Sequence, residues 1–273
     1  MKIVLLCKKV GMTRQSYYKT RQVRQRQSVD EDFVKELVQA ERSLQPRLGG
    51  RKLHKILIPR LKAQNIWLGR DRFFKVLNNK GLLLEKLPRM PRTTNSYHTL
   101  PVFSNLVKGM ELMKPNQAWA SDITYLRTKE KFMYLSLITD MYSRKIVGYH
   151  LSDNLEAEQA LNSLKMAIKS KPNDAKPIHH SDRGSQYCSH LYIQELKKYG
   201  MPPSMTEDNH CAENALAERV NGILKQEYGL RNEYRNPMQA HQSVKQAVML
   251  YNTMRPHCSL GLNTPEQVHR MAA

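Results

Sequence analysis

The 273 residues of this chain are 40% hydrophobic, enough to bury one sizeable core and leave one or two small modules beside it. The net charge is +20 and is uneven, since residues 1–100 hold 23 Lys and Arg against 7 Asp and Glu, whereas residues 101–273 hold 21 against 17. A basic excess confined to the N-terminal part indicates a polyanionic partner, DNA or RNA, rather than a generic lysine-rich surface.

The cysteines and the hydropathy exclude several classes of protein. Cys7, Cys188, Cys211 and Cys258 are scattered and form no C-x-x-C pair, which argues against a zinc module and favours free thiols in a reducing cytosol. No run approaches 18 apolar residues, and the apolar start at Met1–Leu6 is too short for a signal peptide. The sequence therefore predicts neither a membrane span nor secretion.

Residues 1–27 predict a small helical segment. Gly11 ends one helix and Thr13 can cap the next, an arrangement typical of a helix-turn-helix module and equally of an arbitrary pair of helices. Arg14 and Gln15, in the first turn of the second helix, are candidate DNA contacts.

Residues 28–82 predict a second helix-turn-helix module, with helices at 28–47, 51–62 and 70–80. Apolar residues recur at helical spacing in each, and the last helix leaves Arg, Lys and Asn side chains to face outward. Arg and Asn are the residue types that read guanine and adenine edges in the major groove, although a solvated basic helix would show the same pattern. The candidate DNA contacts here are Arg51, Arg70, Arg72 and Lys75.

Residues 83–111 predict a basic linker. The stretch contains prolines and a Thr-Thr-Asn-Ser run, and its apolar residues do not recur at the spacing of a helix or a strand. An extended segment of this kind can follow a DNA backbone, which makes Arg89 and Arg92 candidate contacts.

Residues 112–230 predict an α/β core, and residues 231–273 a closing helix with a polar tail packed on it. Alternating and apolar runs separated by short turns indicate an antiparallel meander of three strands, followed by alternating helices and strands in the order β-β-β-α-β-α-β-α. The predicted strands are 117–126, 131–140, 143–151, 175–179 and 201–205, and the predicted helices are 155–170, 187–199 and 212–229.

Three acidic residues stand at informative places in this core. Asp122 lies within the first strand, where a buried carboxylate is costly unless a partner or a metal ion compensates it. Asp182 follows a short buried strand, the position at which α/β proteins often place their chemistry. Glu218 comes after a further 35 residues, on a predicted helix, and Lys225 lies seven residues beyond it on the same helix face.

This arrangement resembles the DDE triad of transposases and retroviral integrases. The flanking motifs are similar to those of bacterial insertion-sequence transposases of the IS-three family, in the part that carries the integrase core. Two departures are Glu213, where the family commonly has Asp, and an acidic loop at residues 206–210, in which Glu207 and Asp208 compete with Glu218 as third ligand. The matching motifs are Trp119–Tyr125, Asp140–Tyr149, His180–Tyr187, Tyr251–His257 and Ser259–Pro265.

The resemblance implies an RNase H-like core with a mixed five-stranded sheet and helices, preceded by all-helical helix-turn-helix modules. Hydrolysis of a phosphodiester needs a nucleophilic hydroxide and a stabilised leaving oxygen, and two divalent ions about 3.5–4 Å apart supply both. Asp122 is the candidate for bridging the ions, and Asp182 and Glu218 would each complete one site. Oxygen-only ligands favour Mg²⁺ or Mn²⁺, and a structural ion pair is the alternative role for any one of these acids.

Other residues near the triad have expected roles as well. Lys225 is a candidate phosphate or base contact to DNA, Arg183 is a candidate phosphate contact, and Asn214 is a candidate for orienting Glu218. Asp140, at the end of the second strand, competes as a fourth acid, and the resemblance makes it structural or accessory.

The activity that the resemblance implies is transposition. The protein would bind the terminal inverted repeats of its element, hydrolyse a strand at the element end, and join the freed 3′-hydroxyl to another phosphodiester. The implied partners are double-stranded DNA and further copies of the chain, as a homodimer or a larger assembly. Many relatives are made as a frameshift fusion with a small upstream helix-turn-helix protein, which leaves open whether this chain is complete. The expected location is the bacterial cytoplasm, at the nucleoid.

Two other functions are compatible with an RNase H-like core beside DNA-binding helices. An RNase H-like nuclease would cut without joining, and the predicted N-terminal modules speak against it. A catalytically idle repressor derived from a transposase would bind DNA only, and the intact triad speaks against that.

Overall fold

The computed structural model describes residues 3–85, 87, 100–207 and 211–272. The chain divides into two compact units, residues 1–85 and residues 86–273. Within the described ranges, no helix combines the length and the apolar character that crossing a bilayer requires.

The first unit is entirely helical in its described part. Its helices are α1 (Ile3–Lys9), α2 (Arg14–Leu44), α3 (Gly50–Ala63) and α4 (Arg70–Asn79). Thr13 caps α2 as expected, because its Oγ1 accepts a hydrogen bond of 3.1 Å from the amide of Ser16. Helix α2 crosses the boundary expected between residues 27 and 28, since no Gly or Pro interrupts residues 14–44.

The C-terminal half of α2 packs with α3 and α4 around one small core. The residues that face this core recur three or four positions apart on each helix, as an amphipathic helix requires. A six-residue connection, 64–69, joins α3 to α4. The fully buried core side chains are Val34, Val38, Leu48, Leu53, Leu57 and Phe73, with Leu77.

The second unit is built on a mixed sheet. In sheet order its strands run β3-β2-β1-β4-β5, with β2 antiparallel to both neighbours and β4 and β5 parallel to β1. A two-residue strand, β6, adds a parallel pairing at the far end of β1, beyond the five strands expected. The strands are β1 (Ala118–Thr128), β2 (Phe132–Asp140), β3 (Ile146–Ser152), β4 (Ile178–Ser181), β5 (Pro203–Met205) and β6 (Glu233–Tyr234).

Helices cover both faces of this sheet. The first face packs on α5 and α7 through a cluster that includes Trp119, Ile138, Leu164 and Tyr192. The second face packs on α8 and α9. The helices are α5 (Ala157–Ser170), α6 (Ser185–Cys188), α7 (His190–Lys198), α8 (Ala215–Glu227), α9 (Pro237–Thr253) and α10 (Pro265–Met271).

A close approach fixes α5 against β3. A Cβ atom at Gly148 would collide with the carbonyl oxygen of Ser163 and crowd Ala167, so only glycine permits this spacing. The order of strands and helices agrees with the arrangement expected for an RNase H-like core, and it places β1 at the centre of the sheet.

Candidate active site

The first two acids are brought together by the register of the central strands. Asp122 lies in the middle of β1, opposite Leu137 of β2. On the other side of β1, Ala120 pairs with His180 in the parallel register with β4. Asp122 lies two residues after Ala120, and Asp182 lies two residues after His180. Because residues level with each other in neighbouring strands project to the same face, the two carboxylates share one side of the sheet.

Helix α8 brings the third acid to the same place. Its preceding turn is attached to β1 by Asn214, whose Nδ2 donates to the carbonyl oxygen of Ser121 at 3.0 Å. One turn beyond Glu218, the Nδ2 of Asn221 donates to the Oδ2 of Asp122 at 2.8 Å. Residues 214, 218, 221 and 225 form one stripe of the helix, so Glu218 faces the same strand. Asn214 therefore holds the start of the helix on β1.

The pKa of Asp122 reports the electrostatics of this site. Burial is the main cause that raises the pKa of the Asp122 carboxyl from 3.8 to about 7, and the negative charge of Asp182 is the second. Hydrogen bonds from Asn221 and from the amide of Ile123 oppose this rise, and the charge of Glu218 adds to it. Asp122 therefore lies close enough to Asp182 and Glu218 for both charges to act on it, in a buried position that disfavours its ionised form.

The donor set fits a hard divalent cation, but its side chains are not yet arranged around one. Within the part of the chain that the structure describes, no three His, Cys, Asp or Glu side chains form a ready-made metal cluster. The Asp122 oxygens accept hydrogen bonds from Ile123 (3.0 Å) and Asn221 (2.8 Å), and Oδ1 of Asp182 accepts one from Gly184 at 3.0 Å. Three carboxylates brought together in this way suit Mg²⁺ or Mn²⁺, provided that the side chains turn from these protein donors toward the ion.

Asn221 was not among the candidate residues, although its side chain contacts Asp122 directly. The available signal was its position three residues after Glu218, which places both on one face of a helix. That the face meets Asp122 depends on how α8 docks on β1.

The two cations expected to contact DNA near the active site, Lys225 and Arg183, have protein partners in this structure. The Nζ of Lys225 is 4.4 Å from the centroid of the Tyr125 ring. Burial lowers the pKa of Lys225, and the charge of Asp122 partly offsets that effect, so the ammonium group stands near the acids. Arg183 donates through Nε to the carbonyl oxygen of Thr206 at 2.8 Å, and thereby supports the segment that follows β5.

Two histidines precede Asp182, and their contacts are structural. The Nε2 of His179 lies 2.7 Å from the hydroxyl of Ser121 and 2.8 Å from that of Tyr192. Burial lowers the pKa of His179 to about 3, so the ring is neutral. The Nδ1 of His180 lies 2.9 Å from the hydroxyl of Ser204 on β5. These contacts fix β4 between its neighbours.

Asp140 is engaged in the turn that follows β2. Its Oδ2 accepts a hydrogen bond from the amide of Asn116 at 2.7 Å, and its Oδ1 accepts from the amide and the hydroxyl of Ser143, each at 2.7 Å. The Nδ1 of His269 lies 3.9 Å from Oδ1. A fully buried carboxylate with these donors favours the structural role over a metal ligand.

The acidic loop before α8 has partners of its own. The Nζ of Lys108 lies 3.0 Å from a carboxylate oxygen of Glu207 and 3.7 Å from one of Glu213. Glu207 is thus paired with a lysine, which favours Glu218 as the third acid of the triad. Asp208 lies outside the described residues.

The DNA-contact candidates of the first unit are all exposed. Arg70 pairs through Nε with the carboxylate of Asp71 at 2.9 Å on the surface. Arg89 and Arg92 lie outside the described residues. The exposed candidates are Arg14, Gln15, Arg51, Arg70, Arg72 and Lys75.

Comparison with known proteins places the second unit in a known family. The family described as "Integrase core domain" matches residues 113–211, and a second family of the same description matches residues 199–265. The chain is 33% identical over 276 residues to the "Insertion element IS600 uncharacterized 31 kDa protein" of Shigella sonnei, covering 98% of this chain and 100% of that protein. It is 35% identical over 195 residues to "Transposase InsF for insertion sequence IS3A" of Escherichia coli strain K12, covering 70% of this chain and 67% of that protein.

Among solved structures, the chain is similar to the simian T-cell lymphotropic virus intasome, whose cryo-EM structure is in complex with PP2A regulatory subunit B56 gamma. The TM-score is 0.50 at 21% sequence identity, covering 81% of this chain and 74% of the matched chain. At this level of identity the likeness concerns the fold alone, and it confirms the RNase H-like arrangement.

Proposed function

Since this chain belongs to the insertion-sequence transposases of the IS-three family, enzymes of DNA strand transfer, we propose that Asp122, Asp182 and Glu218 are its metal-binding catalytic carboxylates. The observation that carries this proposal is the convergence of the three acids at the centre of the sheet, where burial, followed by the charges of Asp182 and Glu218, raises the pKa of Asp122. Residues scattered over nearly 100 positions of sequence converge there.

In the proposed reaction, divalent ions supply a nucleophilic hydroxide and charge stabilisation at the leaving oxygen. Asp122, Asp182 and Glu218 would hold these ions, and Asp122 is the most firmly placed of the three because it lies within the central strand. Asn221 donates a hydrogen bond to the Asp122 carboxylate and would hold its orientation while no ion is bound. Lys225 would hold a phosphate of the element end beside the acids, and its stacking on Tyr125 limits the directions its ammonium group can take.

The proposed reaction has two steps at one site. Water attacks the phosphodiester at the element end, which breaks the bond to the flanking strand and leaves a 3′-hydroxyl. That hydroxyl then attacks a second phosphodiester in line, so that one bond forms as another breaks and no covalent bond to the protein is needed.

The first unit would select the DNA. Its exposed cations on α3 and α4 and at the start of α2 support binding to the terminal inverted repeats of the element. Joining two ends requires two sites, so we propose a homodimer or a larger assembly on DNA, at the bacterial nucleoid where this substrate is found.

The experiment uses a duplex that ends in the inverted repeat flanking the gene, with Mg²⁺, and measures binding, strand cleavage and joining separately. Asp182→Asn should bind the duplex as the wild type does and neither cleave nor join it. The matched control is Asp174→Asn, which changes an exposed acid and should leave all three measurements unchanged. Cleavage by Asp182→Asn would show that the site is assigned wrongly.

The rival functions have distinct outcomes in the same assay. A pre-cut duplex with a free 3′-hydroxyl tests joining alone. Wild-type cleavage without joining would favour a nuclease, and binding without either reaction would favour a repressor.

A further inference from the structure

One aromatic side chain of the first unit, Trp67, is unusually exposed to solvent. Trp67 lies in the connection between α3 and α4, and 68% of its surface is exposed, more than for any other described aromatic residue. Tryptophan is enriched at the surfaces through which proteins contact their partners, and an exposed indole leaves a large apolar area in water.

The connection itself is firmly held, so the exposure of Trp67 is not that of a loose loop. Ile66 is buried in the core of the first unit, and Leu68 packs partly against it. The carbonyl oxygen of Leu68 lies 2.8 Å from the Nε2 of His54 on α3. With both flanking side chains turned inward, the backbone directs Trp67 outward.

The surroundings of the indole are cationic. The Nζ of Lys62, in the last turn of α3, lies 5.2 Å from the centroid of the Trp67 ring. Residues 51–75 carry eight Lys and Arg and a single acid, Asp71. Such a surface repels a second copy of itself and attracts a polyanion.

Trp67 also stands three residues before Arg70, at the entry to α4. In helix-turn-helix proteins the N-terminal residues of the second helix contact base edges while the first helix crosses the DNA backbone, so the connection between the two helices would lie beside that backbone. We propose that Trp67 is a DNA contact, its indole packing on a deoxyribose of the strand beside the groove that α4 enters, with Lys62 against an adjacent phosphate. This inference rests on the proposed function of the first unit as the DNA-selecting module.

The test uses the full chain and a labelled duplex selected from a random-sequence pool by the wild-type protein. Trp67→Ala should weaken binding about ten-fold, equal to about 1.4 kcal/mol, and leave the dependence of affinity on salt unchanged, because the lost contact is apolar. Lys62→Ala should lower the salt slope by about one. The matched control is Met113→Ala, which removes an apolar side chain of similar exposure, 69%, from the second unit.

Fluorescence gives an independent readout, since the chain has two tryptophans and Trp119 is fully buried. Acrylamide should quench Trp67 in the free protein, and the duplex should protect it. An unchanged melting temperature of Trp67→Ala would show that the variant is folded.

The outcomes separate this inference from the proposed function. Tight binding by Trp67→Ala, together with an indole that the duplex does not protect, would overturn the role of Trp67 alone. Loss of self-association by Trp67→Ala with full DNA affinity would also overturn it, in favour of a protein contact. Failure of the wild type to select any duplex would overturn both.

Discussion

Replacing Asp122 by asparagine should make the metal-free protein more stable at neutral and alkaline pH. Burial and the neighbouring acids raise the pKa of this carboxyl from 3.8 to about 7 in the folded protein. The folded chain therefore keeps a proton that the unfolded chain releases between these values. It follows that the free energy of unfolding of the wild type falls as the pH rises from about 4 to about 7.

The magnitude follows from the size of this shift. About three pKa units at about 1.36 kcal/mol each give about 4 kcal/mol, and partial exposure of the side chain reduces this to about 2–4 kcal/mol. The amide in Asp122→Asn does not ionise, so the free energy of unfolding of this variant does not fall in this way as the pH rises. Asn221 can still pair with it by turning, since its buried Oδ1 accepts no hydrogen bond from the described residues.

The assay is urea unfolding in EDTA at a series of pH values from acidic to alkaline. A Trp67→Phe background leaves Trp119, in the core of the second unit, as the fluorescent reporter. Asp122→Asn should show a flatter stability profile than the wild type and exceed it in stability by about 2–4 kcal/mol at high pH. Asp174→Asn, at an exposed position, should follow the wild type. Equal losses of stability in the wild type and in Asp122→Asn would refute the reasoning.

Three further predictions address other parts of the second unit. Mg²⁺ or Mn²⁺ at about 100 times its dissociation constant should stabilise the wild type by about 2.7 kcal/mol, and Glu218→Gln should lose most of this gain in a thermal melt; an undiminished gain would remove Glu218 from the site. Lys225→Gln should weaken binding to element-end DNA at low salt and lower the salt slope by about one, and an unchanged slope would exclude a phosphate contact. Asp140→Asn should lower the free energy of unfolding by about 1–3 kcal/mol while leaving the response to metal intact, because its carboxylate serves the turn after β2; a lost metal response would make it a ligand.

The general layout of the second unit was predictable from the sequence because its elements carry strong local patterns. The meander of β1 to β3 follows from alternating residues and short turns, and the proposed triad follows from motifs that place acids at a strand centre, a strand end and a helix. The third strand begins later than predicted, at Ile146 instead of residue 143. The amide of Ser143 donates a hydrogen bond to Asp140, and Arg144 adopts a positive φ of 65°. Both residues therefore belong to the turn between β2 and β3.

What the sequence did not indicate depends on contacts between distant segments. The hydrogen bond from Asn221 to Asp122 joins residues 99 positions apart and exists only because α8 docks on β1. The pairing of β6 involves two residues and has no period to detect. The continuity of α2 was missed for another reason: its N-terminal half is exposed on nearly all sides and shows no apolar stripe, although nothing in it interrupts a helix.

That continuity gives α2 the property of a rigid spacer. Its 31 residues span about 46 Å at about 1.5 Å per residue, so Arg14 is held at a set distance and direction from the small core formed near the other end. One residue inserted in the exposed half would rotate everything before it by about 100° and advance it by about 1.5 Å. The orientation of the N-terminal turn of α2 is thus coupled to that of the helices that follow. A change in the length of α2 therefore changes the direction in which the charged side chains of this turn point.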